Sequence, residues 1–161
     1  MANIRVEYSI ARKDIPPQWQ LHYFCQTALK EMRKKGEVYK SHVHIKLVGA
    51  QESRRLNRDY RGKDKPTNVL SFPFYAPENL SDGLLGDLVI CVPVLAQEAF
   101  LQRKPLAHHW AHILVHGILH LLGFDHMERA QAKQMEKIEV RILKKLRIAD
   151  PYISNPYKVT S

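Results

Sequence analysis

Ile4, Val6, Tyr8 and Ile10 alternate with polar neighbours near the start of the chain, the period-2 pattern of a half-buried strand. Pro16 and Pro17 open a stretch in which Trp19, Leu21, Phe24, Ala28, Leu29 and Met32 largely keep helical spacing as far as Gly36. This predicts an amphipathic helix with a basic end. Residues 42–48, HVHIKLV, alternate again: Val43, Ile45 and Leu47 fall on one side of a second strand, and His42, His44 and Lys46 on the other, as surface residues. QESRRLNRDY, residues 51–60, suits a short helix that Pro66 stops. NVLSFPF reads as a third strand ending near Pro73, residues 75–86 as loop, and GDLVICV as a fourth strand. Pro93 is placed early in a helix running to about Lys104. A buried helix follows from Leu106 to Gly123, then a charged helix from Glu128 to Arg147 that carries Met135, Ile138, Ile142, Leu143 and Leu146. From Asp150 two prolines and little periodicity read as a loose end.

The predicted class is α+β: one domain over residues 1–150, with a small mixed sheet of about four strands packed with about five helices, and a tail over 151–161. At 161 residues the chain is large enough to bury ~70% of the surface it exposes unfolded. Its charged fraction of 25% against 45% hydrophobic residues excludes wholesale disorder. The formal charge of +9 points to a polyanion, and to nucleic acid before membrane, because no basic amphipathic helix, lipidation signal or apolar run long enough to span a bilayer stands out. The N-terminal alternation is not that of a signal peptide, so the expected location is the cytoplasm. Cys25 and Cys91, 66 positions apart in apolar surroundings, read as reduced core residues.

The densest chemistry lies in residues 116–126, HGILHLLGFDH. His116 and His120 are four apart on a helix, which stacks their rings on one face with Cβ atoms ~6 Å apart. Straight helix carries later side chains away from that point, so a third ligand requires the chain to turn back. Gly123 allows this by taking the left-handed conformation, which brings His126 toward the pair. Three histidines with a fourth position left to water is the arrangement of a catalytic metal site, most often one zinc ion. His112 also lies four before His116, but no turn-back residue follows that pair, and His112 and His120 are ~12 Å apart along the axis; it is expected to line the approach. The segment nearly spells the metalloprotease pattern H-E-x-x-H-x-x-G-x-x-H, with Gly117 where that pattern has its general-base glutamate.

HGILHLLGFDH closely resembles the signature H-G-x-L-H-L-x-G-[YF]-D-H of the YbeY family of bacterial rRNA maturation factors and single-strand-specific endoribonucleases. LNRDYRGKDKPTNVLSFPF is similar to that family's N-x-x-Y-R-x-x-D-x-P-T-D-V-L-S-F-P segment and GDLVIC to its G-D-[IL]-V-I-C strand. Asn68 stands where the family pattern has Asp, and no role is assigned to it. The resemblance implies that His116, His120 and His126 hold zinc and that Arg61 is the basic residue of the cleft; on composition alone Arg61 is a solvated turn residue. It also implies action on single-stranded RNA at the 3′ end of small-subunit 16S rRNA, a part in ribosome quality control, and partners among the small ribosomal subunit, its proteins and a ribosome-assembly GTPase, with no DNA or membrane partner. Asp125 and Asp87 are second candidates, as carboxylates that orient a ligand histidine, with a cap near the end of the helix the equal alternative for Asp125 and closure of a turn before the strand the alternative for Asp87. Two other readings stay open: a ribosome-assembly binding factor with a structural zinc, and a metalloprotease-like hydrolase.

Overall fold

The computed structural model describes residues 3–33, 42–74 and 83–153. Its elements in chain order are β1 (Asn3–Tyr8), α1 (Gln18–Met32), β2 (His42–Val48), α2 (Ala50–Arg61), β3 (Val69–Pro73), β4 (Leu84–Cys91), α3 (Val92–Leu101), α4 (Leu106–Leu121) and α5 (Arg129–Lys145). The strands form one mixed sheet in the order β1-β2-β4-β3. β1 and β4 run parallel to β2, and β3 runs antiparallel to β4.

Alternation along the central strands sends side chains to two different cores. Ile45, Leu47, Leu88 and Ile90 are completely buried on one face with Trp110, Leu114 and Ile118 of α4 and Leu21 of α1. Val48, Leu70 and Val89 point the other way and form a small cluster with Leu56 of α2 and Phe72. α2 therefore covers the second face while α1, α4 and α5 stack on the first. Cys25 and Cys91 are both free and buried, and burial pushes the Cys25 thiol up to about 12.

The expected elements are present, with two corrections. Residues 84–86, expected as loop, begin β4. The register between β2 and β4 skips a residue there, pairing His42 with Leu84 and Val43 with Gly86, so a bulge carries the strand through a stretch whose composition reads as a turn. His44, expected as a surface residue, is partly exposed there, 3.3 Å from Glu7 and 3.6 Å from Asp87 across the neighbouring strands. Tyr152, in the expected loose tail, is fixed: its N–H donates to Asp150 at 2.7 Å and its hydroxyl donates to Glu139 of α5. Residues 154–161 lie outside the described residues, as do 34–41 and 75–82, where the end of the first helical stretch and most of the predicted loop fall. Among the described residues no helix is long and apolar enough to cross a membrane.

Candidate metal centre

From Trp110 to Leu121, α4 is buried except along one line, His112, His116 and His120, where the side chains are only partly covered. Spacing of four places these three on a single face, so the apolar remainder of the helix seats it and leaves imidazoles facing outward. The helix then stops in a turn built on Gly123, whose φ is +99. Its N–H donates to the His120 carbonyl and that of Phe124 to the Leu119 carbonyl, each at 3.0 Å, the paired bonds of a Schellman ending. The reversal returns His126 to the other two histidines.

The three rings converge. Centroids of His116 and His120 are 4.6 Å apart, His120 and His126 4.9 Å, and His116 and His126 5.6 Å. One nitrogen from each lies within 4.8 Å of the others. Nε2 of His116 faces Nε2 of His120 at 3.0 Å, while the other ring nitrogen of His116, Nδ1, is 2.5 Å from Oε1 of Glu139. A neutral His116 that donates from Nδ1 has only a lone pair at Nε2, so the space between the rings favours a proton or a cation. Burial, followed by the neighbouring His116 and His126, holds the His120 pKa below its ordinary value. That keeps it in the neutral form a metal requires. Three imidazoles without a carboxylate among them suit a borderline-soft divalent ion such as zinc, and the residues present fit that ion.

The cluster opens onto a cleft of about 710 Å³ between the end of α4, the outer strand β3 and the end of α2, lined also by Tyr60, Arg61, Phe72 and Phe124. Local bonds place Arg61 there. Gly62, at φ +71, ends α2. Asn57, buried, donates to the Lys65 carbonyl at 2.8 Å, and the Ser53 hydroxyl exchanges 3.0 Å bonds with the backbone of Thr67. Arg54 clasps Asp64 through two bonds of 2.8 and 3.0 Å. The loop is thus tied to α2, and exposed Arg61 is held at its corner on the cleft.

Asn68 also lines the cleft. Its Oδ1 accepts the Val69 N–H at 2.7 Å and its amide points to the Glu98 carboxylate at 3.4 Å, which in turn meets His109 at 2.9 Å. An aspartate at this position would oppose Glu98, whereas the amide donates to it. Asp125 stays beside His126, accepting its backbone N–H at 2.7 Å and lying 3.5 Å from its Nδ1. Asp87 lies inside β4, paired with His44, and is not a lining residue of the cleft. His112 does not line the approach either. Its Nε2 turns to the Tyr152 hydroxyl at 3.1 Å and to Glu139 at 3.5 Å, behind His116.

Sequence reasoning missed Glu139 and Tyr152. Glu139 is 0% exposed on the face of α5 that also buries Met135, Ile142 and Leu143. A carboxylate at a core position of an otherwise apolar stripe was the available signal. Burial would raise its pKa, but hydrogen bonds from His112, His116 and Tyr152 outweigh that and hold it at about 2.

The family model described as endoribonuclease YbeY matches residues 7–147. A protein named endoribonuclease YbeY from Colwellia psychrerythraea is 48% identical over 139 residues, covering 86% of this chain and 89% of that protein. The solution structure of a Thermotoga maritima protein shares the fold with a TM-score of 0.55 at 24% identity, over 95% of this chain and 97% of that one.

Proposed function

The chain belongs to the endoribonuclease YbeY family, and from that premise we propose that it is a zinc-dependent, single-strand-specific endoribonuclease that matures the 3′ end of small-subunit 16S rRNA and serves ribosome quality control. Its partners would be the small ribosomal subunit with its proteins and a ribosome-assembly GTPase, met in the cytoplasm. The observation that carries the catalytic part is the convergence of His116, His120 and His126 on the wall of a cleft that also presents Arg61.

In this reading those three histidines hold one zinc ion, which when bound supplies Lewis-acid polarisation of the scissile phosphodiester. Arg61 meets the phosphoryl oxygens with its fork of donors and stabilises the charge that grows on them. Tyr60 stands 68% exposed on the cleft, edge-on to Phe72 with ring centroids 5.2 Å apart. Such a ring offers a stacking surface for a base that is out of a duplex, which favours single strands.

Neither competing reading gains from the geometry. A structural zinc is usually closed by four protein ligands, and among the described residues the metal-competent group is the three histidines alone. Gly117 stands where the protease pattern has its glutamate, and it packs toward Leu88 and Val69 of the sheet and is not among the residues lining the cleft.

The deciding experiment is metal analysis of protein purified without chelators, paired with cleavage of single-stranded RNA before and after chelation. One zinc per chain and chelator-sensitive cleavage are expected. Zinc-free protein of full activity would end the reading. Product ends show which group attacks: a 2′,3′-cyclic phosphate with a 5′-hydroxyl assigns the RNA 2′-hydroxyl, and a 3′-hydroxyl with a 5′-phosphate assigns water. Arg61→Ala should lower kcat by about 100-fold, as loss of one charge-stabilising donor does. Tyr60→Ala should raise KM by about tenfold, with kcat little changed, as loss of one base-stacking ring does.

A further inference from the structure

Glu139 is wholly buried, yet none of the hydrogen-bond and ion-pair partners described for it is a lysine or arginine. Its partners are two imidazoles and a phenol: Nδ1 of His116 at 2.5 Å, Nε2 of His112 at 3.5 Å and the hydroxyl of Tyr152. A carboxylate taken out of water without partners is costly, and here the partners surround one ligand histidine of the cluster. Oε1 serves His116 while Oε2 serves Tyr152 and His112.

The geometry points to Glu139 as the positioning residue of the metal centre: it fixes His116 as the Nδ1–H tautomer with Nε2 offered to the cation, and Tyr152 holds Glu139 in that orientation. The inference rests on the three-histidine reading above. The Glu139 carboxylate accepts the Nδ1 proton, so the ring neither rotates nor changes tautomer without losing that bond, and its Nε2 becomes the better donor to a metal. The same carboxylate sets His112 apart. With Nε2 committed to Tyr152 and Glu139 and Nδ1 buried without a partner, His112 is kept from joining the cluster, although it stands on the same helix face. The turn at Asp150 makes this possible by returning Tyr152 to α5. The segment after α5 is thereby part of the metal site.

The test uses the full chain. In metal-free wild-type protein, nitrogen-15 NMR of the histidine rings should show His116 as the Nδ1–H tautomer with a downfield N–H proton. Zinc affinity, read by competition with a chromophoric chelator, should fall about 10–100-fold in Glu139→Gln, the usual loss for an outer partner of a ligand histidine. The downfield proton should also disappear in that variant. Tyr152→Phe removes one hydroxyl and should weaken zinc less than Glu139→Gln does. It stands as the second variant if Glu139→Gln does not melt cooperatively. An Nε2–H tautomer of His116, or unchanged zinc affinity in folded variants of both residues, would overturn the inference. Failure of wild-type protein to take up zinc sinks instead the three-histidine reading, and the NMR of the metal-free ring then still decides whether Glu139 sets the tautomer.

Discussion

Replacing His120 with alanine should abolish zinc uptake and RNA cleavage while leaving the fold standing. The loss in metal affinity should exceed ~100-fold, because deleting a ligand costs more than deleting a residue that only orients one, itself worth ~10–100-fold. Stability of the metal-free protein should change by less than about 1 kcal/mol: the ring is half-covered at the end of α4 and alanine is the strongest helix former. Two measurements on the same variant separate the enzymatic reading from a binding role. Rates of rRNA processing should collapse while association with the small ribosomal subunit persists. Processing at the wild-type rate in a protein that no longer binds zinc would assign the activity elsewhere.

Gly86→Ala should be strongly destabilising for a single added methyl group. Gly86 sits at φ +149, and a Cβ there would lie 2.3 Å from the Phe72 carbonyl oxygen, 2.9 Å from Leu121 and 3.0 Å from Cα of Pro73. Two of the three obstacles are backbone of β3, which pairs with β4 at this point through Pro73 and Gly86, so relief requires opening the pair. Strain at a left-handed position and overpacking each cost ~1–3 kcal/mol, giving about 3 kcal/mol together, or a fall of about 10 °C in Tm for a chain of this size. Gly62→Ala is the control. Its φ is +71 but nothing stands within 4 Å of the added Cβ, so about 1 kcal/mol is expected. Equal denaturation midpoints for the two variants would show that β3 and β4 yield freely at Gly86.

What the sequence displayed and what it hid divide along a physical line. Residues 42–48 were readable as β2 to the residue, because Val43, Ile45 and Leu47 are buried at 1% or less beside partly covered neighbours, a contrast that period-2 counting detects. The His116, His120 and His126 cluster was readable because helical pitch sets the first two and a glycine sets the third. Local spacing carries that information. Strand order carries none of it: nothing near β3 states that it pairs antiparallel outside β4 and leaves its free side on the cleft. Leu84 to Gly86 looked like loop because a bulge tolerates residues that a regular ladder disfavours. Glu139 and Tyr152 were hidden because each meets its partners across the fold, 23 residues separating Glu139 from His116 and 40 separating Tyr152 from His112. Trp110 shows the extreme, its indole N–H donating at 3.1 Å to a carbonyl 96 positions earlier, at Asp14.

The order of these groups along the backbone has a consequence for how the centre is assembled on the ribosome. His116, His120 and His126 emerge during translation before Glu139, and Glu139 before Tyr152. A nascent polypeptide that has just exposed its imidazoles still lacks the carboxylate and phenol that lie behind His116. Vectorial synthesis therefore delivers the three histidines first and the groups behind His116 last, so a centre of the proposed kind is complete only after α5 has docked and the chain beyond it has folded back.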